Sequence, residues 1–188
     1  MLNMRIAVIV GSTRDRRFGG TVANWFAERA KRQAGIEVDM IDLEDVRLPA
    51  VLPYDNDAAT EAYVQRIAKA DGFVMITPEY NHSYPASLKQ AIDVAQQEWH
   101  AKPVAFLSYG GMGGGIRAVE HLRAVMPEVH ATTIRNTISL HNVWSLFDEE
   151  GNFSEPERYN ESVDAMFQQL IWWARALSEA KVKTPYAA

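Results

Sequence analysis

Three short polar segments hold the residues of this 188-residue chain that are best suited to bind a ligand. The first, loop one (residues 11–20), places serine, threonine, arginine and glycine directly before a predicted helix. Glycines let backbone N–H groups approach a phosphate, Arg14 and Arg17 offer charge-assisted hydrogen bonds, and a helix start is electropositive. The segment has neither the Gly-Lys-Ser/Thr ending of a Walker loop nor a Gly-x-Gly-x-x-Gly fingerprint. We predict a phosphate site, with a polar turn of solvated arginines as the alternative.

Loop two (residues 78–83) follows a buried-strand pattern and precedes a second predicted helix. Its backbone amides and carbonyls suit the edge of a flat heterocycle, and Tyr80 and Tyr84 can stack on such a ring. Glu79 is the only acid here, and an isolated loop carboxylate is more often solvated than catalytic, so we expect Glu79 to be solvated. An ordinary proline-bounded turn is the alternative interpretation.

Loop three (residues 110–115) contains five glycines and one methionine, Met112, and follows Ser108 and Tyr109 at the end of a predicted strand. Backbone without side chains can lie close to a ligand ring, and the same glycines also allow a loop to move. Together with loops one and two, this segment predicts a site for a phosphorylated, planar ligand.

The residue types that are missing limit the chemistry further. The chain has no cysteine, which excludes disulfides, thiolate catalysis and dithiol redox chemistry, so any redox function must sit on a bound cofactor. The five histidines show no metal-ligand spacing, and no Ser/His/Asp constellation is legible, so we predict no metal site and no catalytic side chain.

Composition indicates an ordinary globular protein, predicted as a single domain over residues 1–188. The formal charge of −5 argues against nucleic acid as a partner, since phosphate-binding surfaces need a basic stripe. No apolar run is long enough to cross a bilayer, and the N-terminus lacks the apolar core of a signal peptide. No membrane association and a cytoplasmic location are therefore expected.

Apolar runs alternate along the chain with segments of helical periodicity. The runs predict strands at residues 5–10, 36–43, 72–77, 103–108 and 128–139. The periodic segments predict helices at residues 20–34, 57–70, 85–97 and 116–126, and a last helix from near Ser154, where Ser154 and Glu157 have capping-box spacing. This alternation predicts an α/β fold with a flavodoxin-like parallel sheet in the order 2-1-3-4-5 and helices on both faces, three layers in all. The three loops then lie at the carboxyl ends of strands one, three and four, where such sheets bind ligands.

The loops and their flanks resemble the NADPH-dependent FMN reductase family, which includes quinone, azo-dye and chromate reductases. The matching segments run in register between residue 5 and about residue 125. They are Val10-Gly11-Ser12-Thr13-Arg14, Thr77-Pro78-Glu79-Tyr80-Asn81-His82-Ser83-Tyr84-Pro85, Leu88-Lys89-Gln90-Ala91-Ile92-Asp93 and Ser108-Tyr109-Gly110-Gly111. The combination of Pro-Glu-Tyr-Asn with Leu-Lys-x-Ala-Ile-Asp is specific to that family.

The resemblance implies FMN, with its phosphate on loop one and its isoalloxazine ring between loops two and three. Transferred position by position, the phosphate side comprises Gly11, Ser12, Arg14, Arg17, Phe18, Gly19 and Thr21. The ring side comprises Pro78, Glu79, Tyr80, Asn81 and His82 on one edge and Ser108, Tyr109, Gly110 and Gly111 on the other. A homodimer, or a tetramer of paired dimers, is implied as well, with Trp99 and His100 as candidates for contacts across the interface.

The expected activity is hydride transfer from NADPH, with NADH as the second choice, through flavin N5 to a small acceptor such as a quinone, flavin or azo compound. A ping-pong mechanism is expected, because donor and acceptor meet the same exposed ring face and the flavin carries the chemistry. Two alternatives stay open: a flavodoxin-type electron carrier, and a flavin-binding regulatory protein without turnover.

Overall fold

The structure, a computed structural model, describes residues 3–154 and 156–187. Five parallel strands form one sheet in the order β2-β1-β3-β4-β5, which confirms the predicted topology. The strands are β1 Met4–Val10, β2 Ile36–Asp42, β3 Gly72–Pro78, β4 Pro103–Tyr109 and β5 Thr132–Leu140. The helices are α1 Gly19–Ala30, α2 Leu43–Val46, α3 Ala58–Lys69, α4 Ala86–Asp93, α5 Ile116–Val125 and α6 Pro156–Lys183. Within the described residues, no helix is both long and apolar enough to cross a membrane.

Several element boundaries differ from the sequence-based predictions. Helix α1 ends at Ala30, four residues before the predicted end. Helix α4 ends at Asp93, and a separate 3₁₀ turn, Gln97–Trp99, follows the irregular backbone of Gln96. Strand β5 begins at Thr132 because a turn precedes it, closed by the bond from His130 N to Pro127 O at 3.0 Å. The predicted capping role of Ser154 is wrong, since its hydroxyl donates to the Leu146 carbonyl at 3.0 Å and α6 begins two residues later.

The central strands are buried on both faces, which explains their nearly continuous apolar sequences. In β1, Ile6 and Val8 point into the core formed with α1 and α6. Ala7 and Ile9 point into the opposite core, formed with α3, α4 and α5. The helices therefore cover both faces of the sheet, and the carboxyl edge of the strands is left for the three loops.

Strand β2 carries one carboxylate that two arginines hold against the edge of the sheet. The Asp39 side chain is only 11% exposed, and its Oδ2 accepts from Arg5 Nη2 at 3.1 Å and from Arg66 Nε at 3.2 Å. Burial by itself raises the pKa of the Asp39 carboxyl, and the hydrogen bonds and charges of Arg66 and Arg5 outweigh it, so the pKa lies below its usual value.

Replacing Asp39 by asparagine should lower the free energy of unfolding at pH 7 by about 1–3 kcal/mol, because hydrogen bonds to a charged group are lost. A carboxyl whose pKa is depressed by folding stabilises the protein above its unfolded pKa of about 3.9, and this stabilisation is lost as pH falls through the folded pKa. Urea unfolding should therefore show a difference in the free energy of unfolding between wild type and Asp39→Asn. This difference should be largest at pH 7 and should shrink on acidification.

The matched control for this change is Glu37→Gln on the same strand. Glu37 also contacts Arg5, at 3.2 Å, but its side chain is 63% exposed. Exposed ion pairs contribute about 0–1 kcal/mol, so this variant should unfold nearly as wild type does. If the loss of unfolding free energy in Asp39→Asn stayed constant between pH 7 and pH 3, the missing charge would not be the cause of that loss.

Candidate functional site

The three loops meet at the carboxyl edge of the sheet, as the strand order requires. Main-chain hydrogen bonds tie the loops to the ends of neighbouring strands: Gly11 N of loop one donates to Ile76 O of β3 at 2.9 Å, and Glu79 N of loop two donates to Tyr109 O of β4 at 3.3 Å. The Ser87 hydroxyl of α4 donates to the Gly11 carbonyl at 2.6 Å. Loops one, two and three therefore form one continuous surface.

Helix α1 begins at the end of loop one without a side-chain cap. Its N-cap residue is Phe18, and its first turn contains no acidic residue. Helices α2 and α3, in contrast, are capped by the carboxylates of Asp42 and Asp57, which accept from backbone N–H groups. Because the first N–H groups of a helix have no partner within the helix, the start of α1 is suited to bind an anion.

The two arginines predicted for the phosphate have different surroundings. The Arg17 guanidinium forms ion pairs with Asp42 and Glu44, and its Nη1 also donates to Ser12 O at 2.7 Å. The hydrogen bond to Asp42 raises the Arg17 pKa against the opposing effect of burial. These bonds tie loop one to the end of β2, and two carboxylates compensate the charge of Arg17.

The Arg14 side chain is exposed, and it has no carboxylate partner among the described residues. Its guanidinium carbon lies 5.7 Å from the centre of the Tyr80 ring, within reach of a cation–π interaction. Arg14 therefore stands between the phosphate side and the ring side of the predicted site, with its charge available to a ligand.

Buried hydroxyl groups support loops one and two from below. Ser12 is fully buried, and its Oγ lies 2.6 Å from the Tyr80 hydroxyl. Tyr109 is also buried, which raises the pKa of its hydroxyl. A Cβ added to Gly19 would lie 2.7 Å from Tyr109 Oη, so only glycine permits this approach of α1 to β4. The Tyr109 side chain thus packs under loop one rather than on the open surface.

Loop two is a tight two-residue turn. Tyr80 and Ser83 exchange two main-chain hydrogen bonds, of 2.8 and 3.0 Å, and the residues between them, Asn81 and His82, have φ of 48° and 74°. Two successive positive φ values are the mark of a type I′ turn, which is unusual without glycine. Such strained backbone persists where surrounding structure enforces it, and it concentrates at functional sites.

Glu79 is paired, so the prediction that it is solvated is wrong. Its side chain is 11% exposed, and its Oε1 lies 2.6 Å from Arg117 Nη2 at the start of α5. The backbone N–H of Arg117 also donates to Oε2 at 3.3 Å. This pair fastens loop two to α5, and Arg117 is the residue of this region that sequence reasoning missed.

Loop three is held from two strands, which favours the ligand-binding interpretation over a mobile loop. The Gly114 carbonyl accepts from the hydroxyls of Ser108 and Ser139, each at 2.8 Å. His141 Nδ1 donates to the Met112 carbonyl at 2.8 Å. Two backbone N–H groups also donate to this loop: that of Asn142 to Gly111 O at 2.9 Å, and that of Val143 to Gly110 O at 3.0 Å. The backbone N–H groups of residues 111–113 have no acceptor among the described residues, so they remain available to a ligand.

The sequence pattern of the family described as NADPH-dependent FMN reductase matches residues 4–145, which include all five strands and all three loops. The chain belongs to the NADPH-dependent FMN reductase family. The site described above fits an FMN of that family: an uncapped helix start and Arg14 suit the phosphate, and unpaired amides of loop three suit the polar edge of a ring.

Individual relatives agree with this assignment. An NAD(P)H-dependent FMN reductase of Schizosaccharomyces pombe is 41% identical over an alignment of 120 residues that covers 59% of this chain and 60% of the relative's own length. An NADPH:quinone oxidoreductase of Arabidopsis thaliana is 31% identical over an alignment of 163 residues that covers 79% of this chain and 81% of that protein. One solved structure with the same fold is FerB from Paracoccus denitrificans, a flavoenzyme NAD(P)H:(acceptor) oxidoreductase. It superposes with a TM-score of 0.69, covering 92% of this chain and 98% of FerB. At 24% sequence identity this likeness shows the shared fold.

Family membership confirms the predicted resemblance, and the chain spans about 60% of the length of the Schizosaccharomyces pombe relative. One expectation drawn from the resemblance is wrong for this chain. Trp99 is fully buried and its Nε1 donates to Ile92 O at 3.1 Å, so its side chain belongs to the core of this chain and offers no exposed surface for a contact across an interface.

Proposed function

We propose that this chain is an FMN-dependent oxidoreductase that transfers hydride from NADPH to a small acceptor such as a quinone, a flavin or an azo compound. The observation that carries the proposal is the arrangement along one edge of the sheet. At one end lie the uncapped start of α1 and the unpaired charge of Arg14, and at the other lie the free amides of loop three. These are the contacts that a phosphate and a flat, polar-edged ring require.

On the phosphate side, we assign binding to backbone amides at the start of α1 and to the exposed Arg14. Ser12, Gly19 and Arg17 act from below, where they fix the loop in shape. Gly11, Phe18 and Thr21 complete the set assigned to this side. The division follows from burial, since a buried or ion-paired side chain is less free to reach a new ligand.

On the ring side, we assign contact to the backbone of loops two and three. Pro78 ends β3 beside the assigned ring position, Asn81 and His82 form the turn that follows, and Glu79 and Tyr80 hold that turn in place. Gly110 and Gly111 offer close backbone approach, while the fully buried Ser108 supports them through the Gly114 carbonyl. When bound, FMN supplies the hydride-accepting and hydride-donating chemistry at its N5. The chain itself positions the ring and donates hydrogen bonds to its polar edge.

Several finer features belong to the same proposal. Donor and acceptor use one open face in turn, which gives ping-pong kinetics, and the exposed arginines of loop one favour NADPH over NADH. Composition supports a single domain and a cytoplasmic location. The family resemblance supports a homodimer or a tetramer of paired dimers. Because donor and acceptor cannot bind this face at the same time, double-reciprocal plots of initial rates at several acceptor concentrations should give parallel lines.

An anaerobic absorbance titration of the FMN-reconstituted protein with NADPH tests the proposed function. Protein-bound flavin should bleach stoichiometrically within seconds of NADPH addition. The control is free FMN at the same concentration without protein. Flavin that binds but does not bleach would favour an electron carrier or a regulatory protein. Absence of flavin binding would contradict the assignment of all three loops.

A further inference from the structure

Three large exposed apolar side chains belong to loop three or to the segments that adjoin it. Met112 is 88% exposed, Trp144 is 64% exposed, and Ile116, at the start of α5, is 48% exposed. The Trp144 ring reaches the loop itself, because a Cβ placed on Gly111 would lie 3.7 Å from Trp144 Cζ3. Single exposed apolar residues are common, but a group of them beside a binding site indicates an interaction surface.

The backbone that carries Trp144 is fixed to loop three although the indole is exposed. Trp144 lies in the 3₁₀ turn Val143–Ser145, and the preceding residues donate to Gly111 O and Gly110 O at 2.9 and 3.0 Å. Val143 is fully buried and anchors the turn in the core. The indole is thus held at a defined place relative to the backbone assigned to the flavin ring, and such preorganisation reduces the entropic cost of binding.

We propose that Trp144, together with Met112, forms an apolar wall that holds a planar aromatic acceptor of the quinone class against the flavin ring. This inference rests on the proposed function and adds a residue, Trp144, that determines how well an aromatic acceptor binds. The indole offers a large rigid face for offset stacking, and the methionine thioether adapts to the edges of aromatic rings. Met112 is placed for this by its own carbonyl, which His141 Nδ1 holds at 2.8 Å.

A small ligand fits this surface better than a second copy of the chain. A stable protein interface buries about 800 Å² on each partner and includes some 20–30 residues, far more than three side chains provide. The wall also touches Gly111, one of the residues assigned to the ring, so it lies at the entrance of the site itself.

Steady-state kinetics of the FMN-loaded variants Trp144→Ala and Trp144→Phe test the proposal, with 1,4-naphthoquinone and ferricyanide as probes. Trp144→Ala should raise the KM for naphthoquinone about 3- to 10-fold, as expected for one lost stacking contact. Trp144→Phe should restore most of the difference. Ferricyanide has no ring to stack, so its KM should not change.

Trp172→Phe is the matched control, because Trp172 is 63% exposed but lies on α6 in a surface groove beside Ala34. A second readout needs no turnover: in the oxidised protein, naphthoquinone should quench tryptophan fluorescence in wild type and in Trp172→Phe, and quench it much less in Trp144→Phe. This binding signal can be measured even if wild-type protein fails to oxidise NADPH, so failure of the proposed function and failure of the wall are distinguishable.

Three results would overturn the proposal. The first is an unchanged KM for naphthoquinone in Trp144→Ala together with unchanged quenching in Trp144→Phe. The second is an equal rise of KM for both acceptors, which indicates general damage to the site. The third is a smaller assembly for Trp144→Ala in sedimentation velocity, which assigns the exposed indole to contact with a second copy of the chain.

Discussion

Replacing Gly115 by alanine is expected to lower the free energy of unfolding by about 2–5 kcal/mol and to weaken FMN binding more than tenfold. Gly115 is the N-cap residue of α5 with φ of 81°, a conformation that costs a residue with a side chain about 1–2 kcal/mol. An added Cβ would lie 2.7 Å from Ser108 Cβ and 3.0 Å from Tyr109 N, so backbone must also move. Chemical denaturation and fluorescence titration with FMN measure the two effects.

The effect on flavin follows from what the displaced atoms hold. Ser108 supports loop three through the Gly114 carbonyl, and Tyr109 O accepts from Glu79 N in loop two. A shift at Gly115 therefore moves both walls assigned to the ring.

Gly20→Ala is the control for stability. No atom lies within 4 Å of a Cβ built at Gly20, and alanine is favoured over glycine in a helix by about 0.5–1 kcal/mol. This variant should be as stable as wild type or slightly more stable. Comparable losses for Gly115→Ala and Gly20→Ala would show that crowding at the start of α5 is not the cause.

The order of the strands was predictable because each one carries its own signal. Strands buried on both faces need continuous apolar runs, and these stand out against the amphipathic helices between them. Boundaries were less predictable where a turn uses ordinary residues. His130, for example, adopts φ of 55° just before β5; histidine is enriched in this conformation among residues other than glycine, but most histidines do not adopt it, so the residue type alone does not mark a turn.

The positions of the loops followed from the same strand order, whereas the partners of their side chains did not. Arg17 pairs with Asp42, 25 residues away, and Glu79 bonds to Arg117, 38 residues away. Both pairs depend on how neighbouring strands and helices align in space, which local patterns do not encode. Asp42 had one usable signal, because it lies at the carboxyl end of the strand predicted at residues 36–43, next to strand one, and therefore near loop one.

Trp144 shows the same limit from another direction. In the sequence it is one aromatic residue after strand five, with no spacing that relates it to loop three. Only the main-chain bonds from Asn142 and Val143 to the glycine carbonyls bring it to the candidate site. Exposure of an aromatic residue is likewise a property of the folded chain, so no motif search would have selected it.

Replacing Arg14 by alanine is expected to weaken FMN binding by about 1.5–3 kcal/mol, or about 10- to 150-fold in Kd. Arg14 carries an exposed guanidinium beside Tyr80, without a carboxylate partner among the described residues, so its full charge is available to a phosphate. The fold should be unaffected, because no hydrogen bond within the described residues depends on this side chain. Fluorescence titration of FMN at low and high salt measures the effect.

Arg16→Ala separates a specific contact from the general charge of loop one. Arg16 lies in the same loop and is 94% exposed, with only Asp15 nearby at 4.0 Å, so its removal changes net charge by the same amount. Interactions between exposed charges beyond about 10 Å are screened at 0.1 M salt, and Arg16→Ala should therefore alter Kd less than threefold under those conditions. Arg14→Ala should retain most of its defect there, since a direct hydrogen-bonded contact is screened less. Equal defects that both vanish at high salt would mean that loop one attracts the phosphate only through its summed charge, and the assignment of Arg14 as a direct ligand would then be wrong.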